Sequence, residues 1–358
     1  MKAAIISLGS VSSKWTADAM RKYFSQVDEL DLKDVEINVS GKKSEVLYQG
    51  KDLEQYDCIF AKGSFRYAPL LRSVVSLLKK NTYVPIDEAA YTIAHDKLLT
   101  QLRMQEFNIP MPRTYLTATT DAAKEILKRA NFPIIMKFPQ GTQGKGVMFA
   151  DSYASASSML DALSALKQPF IIQEYVETDG EDIRAIVIGD KVVAAMKRKA
   201  KANEARANIH AGGLSEPCKL DSITQKVAID TAKAMNANIC GVDILSGVKG
   251  PLAIEINISP GLQGITNATG IDVADHIAKF LYKQTLEFTE KRKNKSTAEI
   301  MKDIDTTKGK EIISQLDFRG FRILLPEIAT KISGIKDSDD IQLTMEDKKI
   351  TLKKFEVN

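Results

Sequence analysis

The sequence predicts an α/β (α+β) protein with four consecutive parts: an α/β domain over residues 1–93, a larger strand-rich unit over 94–283, a charged linker over 284–318 and a small β-rich module over 319–358. Three observations carry this. Short apolar runs alternate with amphipathic helical patterns in the first quarter, as in a parallel sheet. From Pro133 to Leu262 several β-rich runs follow one another, with charged and carboxamide side chains set among aliphatic ones. After residue 284 the apolar periodicity fades into Lys, Glu, Asp and Thr, as in a linker with some helix, and short strand patterns return only near Phe321.

Taken in order, Ala3-Ala-Ile-Ile-Ser7 reads as a strand, Trp15–Tyr23 as a helix, Asp57–Ala61 as a strand, Leu70–Leu78 as a helix and Tyr83–Ile86 as a return to the sheet. Gly9-Ser10 follows the first strand, but the G-x-G-x-x-G spacing of a dinucleotide fold is absent. The second unit opens at Ala94-His-Asp-Lys-Leu98, and two prolines in Ile109-Pro-Met-Pro-Arg113 hold the chain extended. Pro133–Phe138 is a strand containing Lys137, and Val147–Ala150 is a returning strand. Between them, Gly141-Thr-Gln-Gly-Lys-Gly146 reads either as a simple turn or as a loop whose backbone N–H groups and Lys145 approach phosphate oxygens. It is not a Walker loop, which needs Lys-Ser or Lys-Thr opening a helix. Phe170–Val176 is a strand ending in Gln173-Glu174-Tyr175, and Asp182–Ile188 and Val192–Met196 continue the sheet. The cations that follow, Lys197-Arg-Lys and Lys201 with Arg206, read as a solvated face or a site for phosphate or an acidic substrate. No aromatic side chain interleaves with them, so base stacking has no platform. A helix from Ser222 to Asn236 places Val227, Ala228, Thr231 and Met235 on one side, and a last helix spans Ile271–Tyr282. The tail reads as strand, helix opening at Pro326, stop at Gly334, and a closing hairpin over 340–355.

Composition removes several function classes. The 50 basic and 46 acidic residues leave a net charge of +4, too small for a general attraction to nucleic acid or membrane. Cys58, Cys218 and Cys240 are far apart and lack metal-ligand spacing, so they read as reduced thiols. No apolar run reaches the roughly 18 residues of a membrane span, nor does the start resemble a secretory signal, so a cytoplasmic protein is expected. His210 stands alone and reads as structural.

The chemistry concentrates in Pro251–Gly261. Side chains alternate along a strand, so Glu255 and Asn257 share one face while Ile254, Ile256 and Ile258 take the other. In Gly241-Val-Asp-Ile-Leu245, a neighbouring strand would bring Asp243 to the same cavity. Three hard oxygen donors suit magnesium beside phosphates. Ordinary polar residues on a half-solvated sheet would look the same.

The order of these segments resembles the ATP-grasp ligases, and most closely the RimK family of glutamate ligases. The resemblance covers roughly residues 1–283 through Lys137–Val147, Asp182-Ile-Arg184, Val192-Val-Ala-Ala195, Asn208-Ile-His-x-Gly-Gly213, Gly241–Leu245 and Glu255–Leu262. It implies an ATP-dependent acid–amino-acid ligase that joins an amino acid, L-glutamate, to an acceptor carboxylate through an acyl phosphate. Lys97 and Lys137 would lie at the nucleotide, with Gly141, Gly144, Lys145 and Gly146 closing over its phosphates. Gln173, Glu174 and Tyr175 would receive adenine, and Asp182 the ribose. Arg206, with Ala207 and Asn208, would face the triphosphate, Arg206 acting catalytically. Asp243, Glu255 and Asn257 would hold two Mg2+ or Mn2+ ions. No Ser, Cys or His nucleophile is expected. Ala211 stands where the ribosome-modifying members carry an arginine, which opens the acceptor to a protein terminus, a pterin or deazaflavin cofactor, or an amino-acid carrier protein. The tail resembles the swapped-hairpin module of AbrB and MazE regulators, implying a homo-oligomer or a nucleotide-gated DNA regulator. Its Asp337, Asp339, Asp340, Glu346 and Asp347 oppose phosphate contact, which disfavours DNA.

Overall fold

The computed structural model describes residues 1–41, 43–117, 119–139, 146–165, 169–199, 214–302, 317–320, 322–325, 327–347 and 349–355. The chain forms two compact units, Met1–Leu286 and Glu287–Asn358. No helix among the described residues is long and apolar enough to cross a membrane.

The first unit begins with β1 (Lys2–Ser7), α1 (Val11–Met20), β2 (Gln26–Asp31), a three-stranded antiparallel flap β3 (Val35–Val39), β4 (Ser44–Tyr48) and β5 (Lys51–Asp52), then β6 (Cys58–Ala61) and α2 (Ala68–Leu78). β1 is the centre of a parallel sheet ordered β2-β1-β6, and its Ala3–Ile6 run is buried on both faces. α1 starts earlier than its apolar spacing suggests. The Ser10 hydroxyl accepts the Ser13 N–H, and this N-cap, rather than Trp15, decides where the helix opens. Tyr83 and Ile86 form only isolated bridges, to Cys58 and Ala237, rather than a strand.

After α3 (Ala90–Ile93) and α4 (Lys97–Glu106), a four-stranded sheet is built from β7 (Thr114–Leu116), β8 (Ile134–Lys137), β9 (Val147–Ala150) and β10 (Ile171–Glu174), in the order β7-β10-β8-β9. α5 (Thr120–Leu127) and α6 (Tyr153–Ala165) cover one face, burying Leu127, Leu160 and Leu163 against Ile134, Met136 and Ile172. Complete burial of each such side chain contributes about 1.5–3 kcal/mol, which fixes the sheet face that carries Lys137 away from this core.

A five-stranded antiparallel sheet follows, ordered β13-β12-β11-β14-β15, from β11 (Glu181–Ile188), β12 (Lys191–Lys199), β13 (Leu214–Pro217), β14 (Ile239–Gly247) and β15 (Gly250–Asn257). α7 (Ser222–Ala234), capped by Asp221, packs Val227, Ala228 and Ala232 onto it. α8 (Gln263–Thr269) lies against β12 and β13. Backbone bonds from Asn238 N–H to Pro85 C=O (3.0 Å) and Asp87 N–H to Asn236 C=O (3.0 Å) tie this sheet to the segment following the first one. The last helix is longer than the expected Ile271–Tyr282: α9 runs from Val273 to Lys302. The charged stretch read as a linker opens as helix because Lys, Glu and Ala are good helix formers even without an apolar face.

In the second unit, β16 (Asp317–Arg319) pairs with β17 (Arg322–Leu324), α10 (Glu327–Ser333) ends at Gly334 with φ +68°, and β18 (Ile341–Glu346) pairs with β19 (Lys349–Lys354).

Candidate active site

The site grows from one face of the five-stranded sheet. Strand register places Asp182 opposite Arg198, Arg184 opposite Asp243, and Asp243 opposite Glu255, so all five side chains stand on the same face. Asn257 lies two residues beyond Glu255, opposite Gly241, where no side chain competes for the space. One detail departs from simple alternation. The pairing slips between Asp243 and Ile244, leaving Ile254 as an extra, partly exposed residue at the cavity wall, whereas Ile256 and Ile258 are buried as expected.

Two arginines hold the carboxylates of this row. Arg184 grips Asp243 with both Nε (2.8 Å) and an Nη (2.7 Å), while Arg198 takes both oxygens of Asp182 (2.5 and 2.7 Å) and reaches Asp243 at 3.0 Å. Burial works to raise the Asp243 carboxyl, but Arg184 and Arg198 outweigh it and hold it well below the usual range. For Asp182, burial dominates and, with the charge of Asp243 alongside, pushes it up to about 6 against Arg198. Near pH 7 two arginines thus face two carboxylates, and the network is neutral as a whole. Glu255 stands outside it. Burial and the neighbouring Asp243 raise its carboxyl, with Lys97, Arg184 and Lys137 opposing.

The four-stranded sheet contributes Lys137. Its buried Nζ donates to Gln173 Oε1 at 2.8 Å, and Gln173 in turn donates to the Thr114 hydroxyl at 2.7 Å. Burial, reinforced by the charge of Lys97 and opposed by Glu255, brings the Lys137 ammonium down to about 8. Lys97 opens α4, where the Asp96 carboxylate caps the Leu98 and Leu99 N–H groups and the Lys97 N–H bonds Pro139 C=O at 3.0 Å. Glu174 is exposed at the end of β10, and the ring of Tyr175 meets Phe149 edge-on at 5.2 Å. Gly146 has φ +77°, and a Cβ there would collide with the Phe138 ring, so the position demands glycine. Gly141, Gly144, Lys145, Arg206, Ala207 and Asn208 lie outside the described residues.

The structure therefore brings Lys97, Glu255 and Asn257 to one cavity of about 310 Å³, with Lys137 and Asp243 close enough to influence Glu255. Asp182, expected at the ribose, accepts from Arg198 on both oxygens, which leaves about two of its roughly four lone-pair positions open. Among the described residues no three His, Cys, Asp or Glu side chains converge as a metal cluster. The donor set that remains is two carboxylates and a carboxamide. It fits a hard cation, because Glu255 and Asn257 open onto the cavity and the repulsion between Glu255 and Asp243 favours a positive ion. Asp243 accepts three N–H contacts, leaving about one of its roughly four lone-pair positions open.

Arg184 and Arg198 were not among the expected site residues. Arg184 follows Asp182 at the strand period, and that spacing alone could have found it. Arg198 was hidden in a run of cations that β12 divides between its faces: Lys197 and Lys199 pair with Glu181, whereas Arg198 is buried between Asp182 and Asp243.

Residues 94–281, more than half of the chain, match the family model described as "RimK-like ATP-grasp domain". The chain belongs to the RimK-like ATP-grasp family. A "Probable alpha-L-glutamate ligase 2" of Pseudoalteromonas atlantica is 36% identical over 300 residues, covering 82% of this chain and 100% of the relative. A "Probable alpha-L-glutamate ligase" of Vibrio cholerae is 35% identical over 303 residues, with the same coverage. Among solved structures, the ATP-grasp ligase PsnB, complexed with a phosphomimetic variant of its minimal precursor, Mg and ADP, has a TM-score of 0.62 at 16% identity, covering 79% of this chain and 98% of that one. A RimK domain ATP-grasp protein of Sphaerobacter thermophilus has a TM-score of 0.59 at 15% identity, covering 78% and 99%. This RimK-like chain thus has the α+β ATP-grasp fold and is an ATP-dependent ligase, of a family that uses ATP with divalent metal.

Proposed function

We propose that this RimK-like enzyme joins L-glutamate to an acceptor carboxylate in the cytoplasm. The reading is carried by the face-to-face placement of Asp243 and Glu255, with Asn257 and Lys97 on the same cavity. In the proposed reaction a carboxylate oxygen of the acceptor takes the γ-phosphoryl group of ATP and ADP leaves. The amine of glutamate then attacks the acyl carbon, phosphate departs and a proton is released. Asp243, Glu255 and Asn257 would hold two Mg2+ or Mn2+ ions, which neutralise charge on the phosphates when bound. Lys137, fixed by Gln173, would place a cation at the nucleotide phosphates, and Arg206 would add another. No thiolate is needed. Burial pushes the Cys58 thiol up to about 12 and that of Cys240 higher still, which fits inert core cysteines.

The Lys137 role has a pH signature. In the free protein this ammonium is charged below about 8 and neutral above it. Bound phosphate would hold the proton on, so nucleotide binding above that pH requires proton uptake. ADP affinity measured calorimetrically with Mg2+ is therefore expected to fall by up to about tenfold per pH unit above pH 8. Lys137→Arg keeps the charge and should flatten that fall.

The ligase reading is tested by incubating the enzyme with ATP, Mg2+, isotopically labelled L-glutamate and a cell extract, then searching for labelled products by mass spectrometry. A labelled protein terminus, pterin or deazaflavin, or carrier protein identifies the acceptor. ATP consumption with no label transferred opposes glutamate as the amine. For the tail, we propose self-association rather than DNA binding. Leu343, Met345, Ile350 and Phe355 are exposed on a two-stranded hairpin, and such hairpins are marginal in isolation.

A further inference from the structure

The parallel sheet β2-β1-β6 sends the chain from its central strand to opposite sides, which opens a crevice at the carboxyl ends of β1 and β6. Ligands of open α/β sheets favour such switch points. The 310 Å³ cavity lies there, between the segments after these two strands and the Glu255–Asn257 edge of β15. Two polar groups on its wall have no partner among the described residues. His95 Nε2 is buried without a hydrogen bond. Lys62 is only 4% exposed, and its Nζ has the Phe60 ring at 5.5 Å to the centroid but neither a carboxylate nor a hydrogen-bond acceptor. Burial alone brings its ammonium down to about 8. A nearly buried ammonium without a counter-ion is costly, and one on a cavity wall is placed to meet an anionic ligand there. The N-terminal end of α1 reinforces the same sign: Ser10, its N-cap, and Ser13 both line the cavity.

The chemistry of ligation says which anion belongs here. The acceptor's carboxylate is consumed and lies with the phosphates and cations. The amino acid, L-glutamate in that reading, brings two carboxylates that the reaction leaves untouched, and their charge needs a partner that is not a metal. A cavity at the lower end of the roughly 300–1,000 Å³ range of small-molecule pockets suits a free amino acid better than a polypeptide. We propose that Lys62 is the counter-ion for one of the unreacted carboxylates of the amino-acid substrate, with Ser13 and the start of α1 completing an anion subsite beside Glu255 and Asn257. This rests on the ligase reading above.

The test uses the full chain with Mg2+ and a non-hydrolysable ATP analogue, titrated calorimetrically with L-glutamate and, separately, with glutarate, which lacks the amine. Lys62→Met is expected to weaken glutamate binding by about tenfold or more, with Lys62→Arg retaining most of it and the nucleotide affinity unchanged within about twofold. Thermal unfolding supplies a second readout. Removing an unpaired buried charge should raise the melting temperature of Lys62→Met, whereas a structural lysine would lower it. Equal glutamate binding by wild type and Lys62→Met, a lower melting temperature with binding intact, or preferential binding of glutarate overturns the assignment. So does a wild-type chain that binds nucleotide and magnesium but not glutamate. A wild-type chain that binds no magnesium nucleotide fails at the ligase reading itself, a distinguishable outcome.

Discussion

Glu255→Gln is expected to lower ATP-dependent ligation by roughly 10²–10³-fold while leaving the protein folded. The substitution keeps the shape of the side chain and its opposition to Asp243, but removes the charge that would bind the cation. Burial and Asp243 already disfavour the ionised form of Glu255, so neutral glutamine sits in its place at little cost or with a gain in stability. The two readouts therefore separate. Release of ADP in the presence of the amino acid and acceptor should collapse, while circular dichroism and the thermal midpoint remain at or above wild type. A folded Glu255→Gln enzyme that turns over normally would remove the cation site from the mechanism. A variant that unfolds would instead make Glu255 a structural residue.

How much of this was legible beforehand depends on the range of the interaction. The strand carrying Glu255 and Asn257 announces itself through period-two alternation, and those carrying Lys137 and Asp243 through short apolar runs broken by one charge, all local properties of the chain. The antiparallel flap over Val35–Asp52 did not, because its strands are short and largely exposed, with Glu36, Asn38 and Glu45 diluting the apolar signal. α9 ran past its expected end because helix propensity, not an apolar face, continues it. Within the site, what was not legible is pairing between residues distant in sequence. The pairing of Asp182 with Arg198, sixteen residues later, could be read from neither segment alone. Lys62 gave no signal at all, since its burial follows from the chain after β6 meeting the chain after β15, where the Gly63 N–H bonds the Ser259 hydroxyl, a contact between residues far apart in sequence.

Arg198→Met should be the most destabilising single change in this sheet. Its side chain is 7% exposed and lies between Asp182 and Asp243, themselves 14% and 9% exposed. Replacing the whole neutral network with apolar residues would be tolerable, but removing one partner leaves a buried carboxylate uncompensated. Breaking a buried pair in this way costs about 3–5 kcal/mol, against about 0–1 kcal/mol for a surface ion pair such as Lys199–Glu181. Urea unfolding at pH 7 should show the loss as a lower midpoint with an unchanged slope. The double variant Asp182→Asn/Arg198→Met should recover much of it, because Arg184 still neutralises Asp243. The pH dependence gives a further check. The folded-state pKa of Asp182 is raised to about 6, so its stabilising contribution is full below its ordinary value near 4 and is lost as pH rises through 6. Asp243 has the opposite sign: its contribution is present above its ordinary value and lost as the pH falls below it. Asp182→Asn should therefore abolish the gain in stability that Asp182 provides between pH 6 and 4 while leaving the acid-side loss due to Asp243. If Arg198→Met costs no more than a surface pair, or if Asp182→Asn fails to rescue it, the two carboxylates do not share the guanidinium, and the electrostatic frame assigned to the site is wrong.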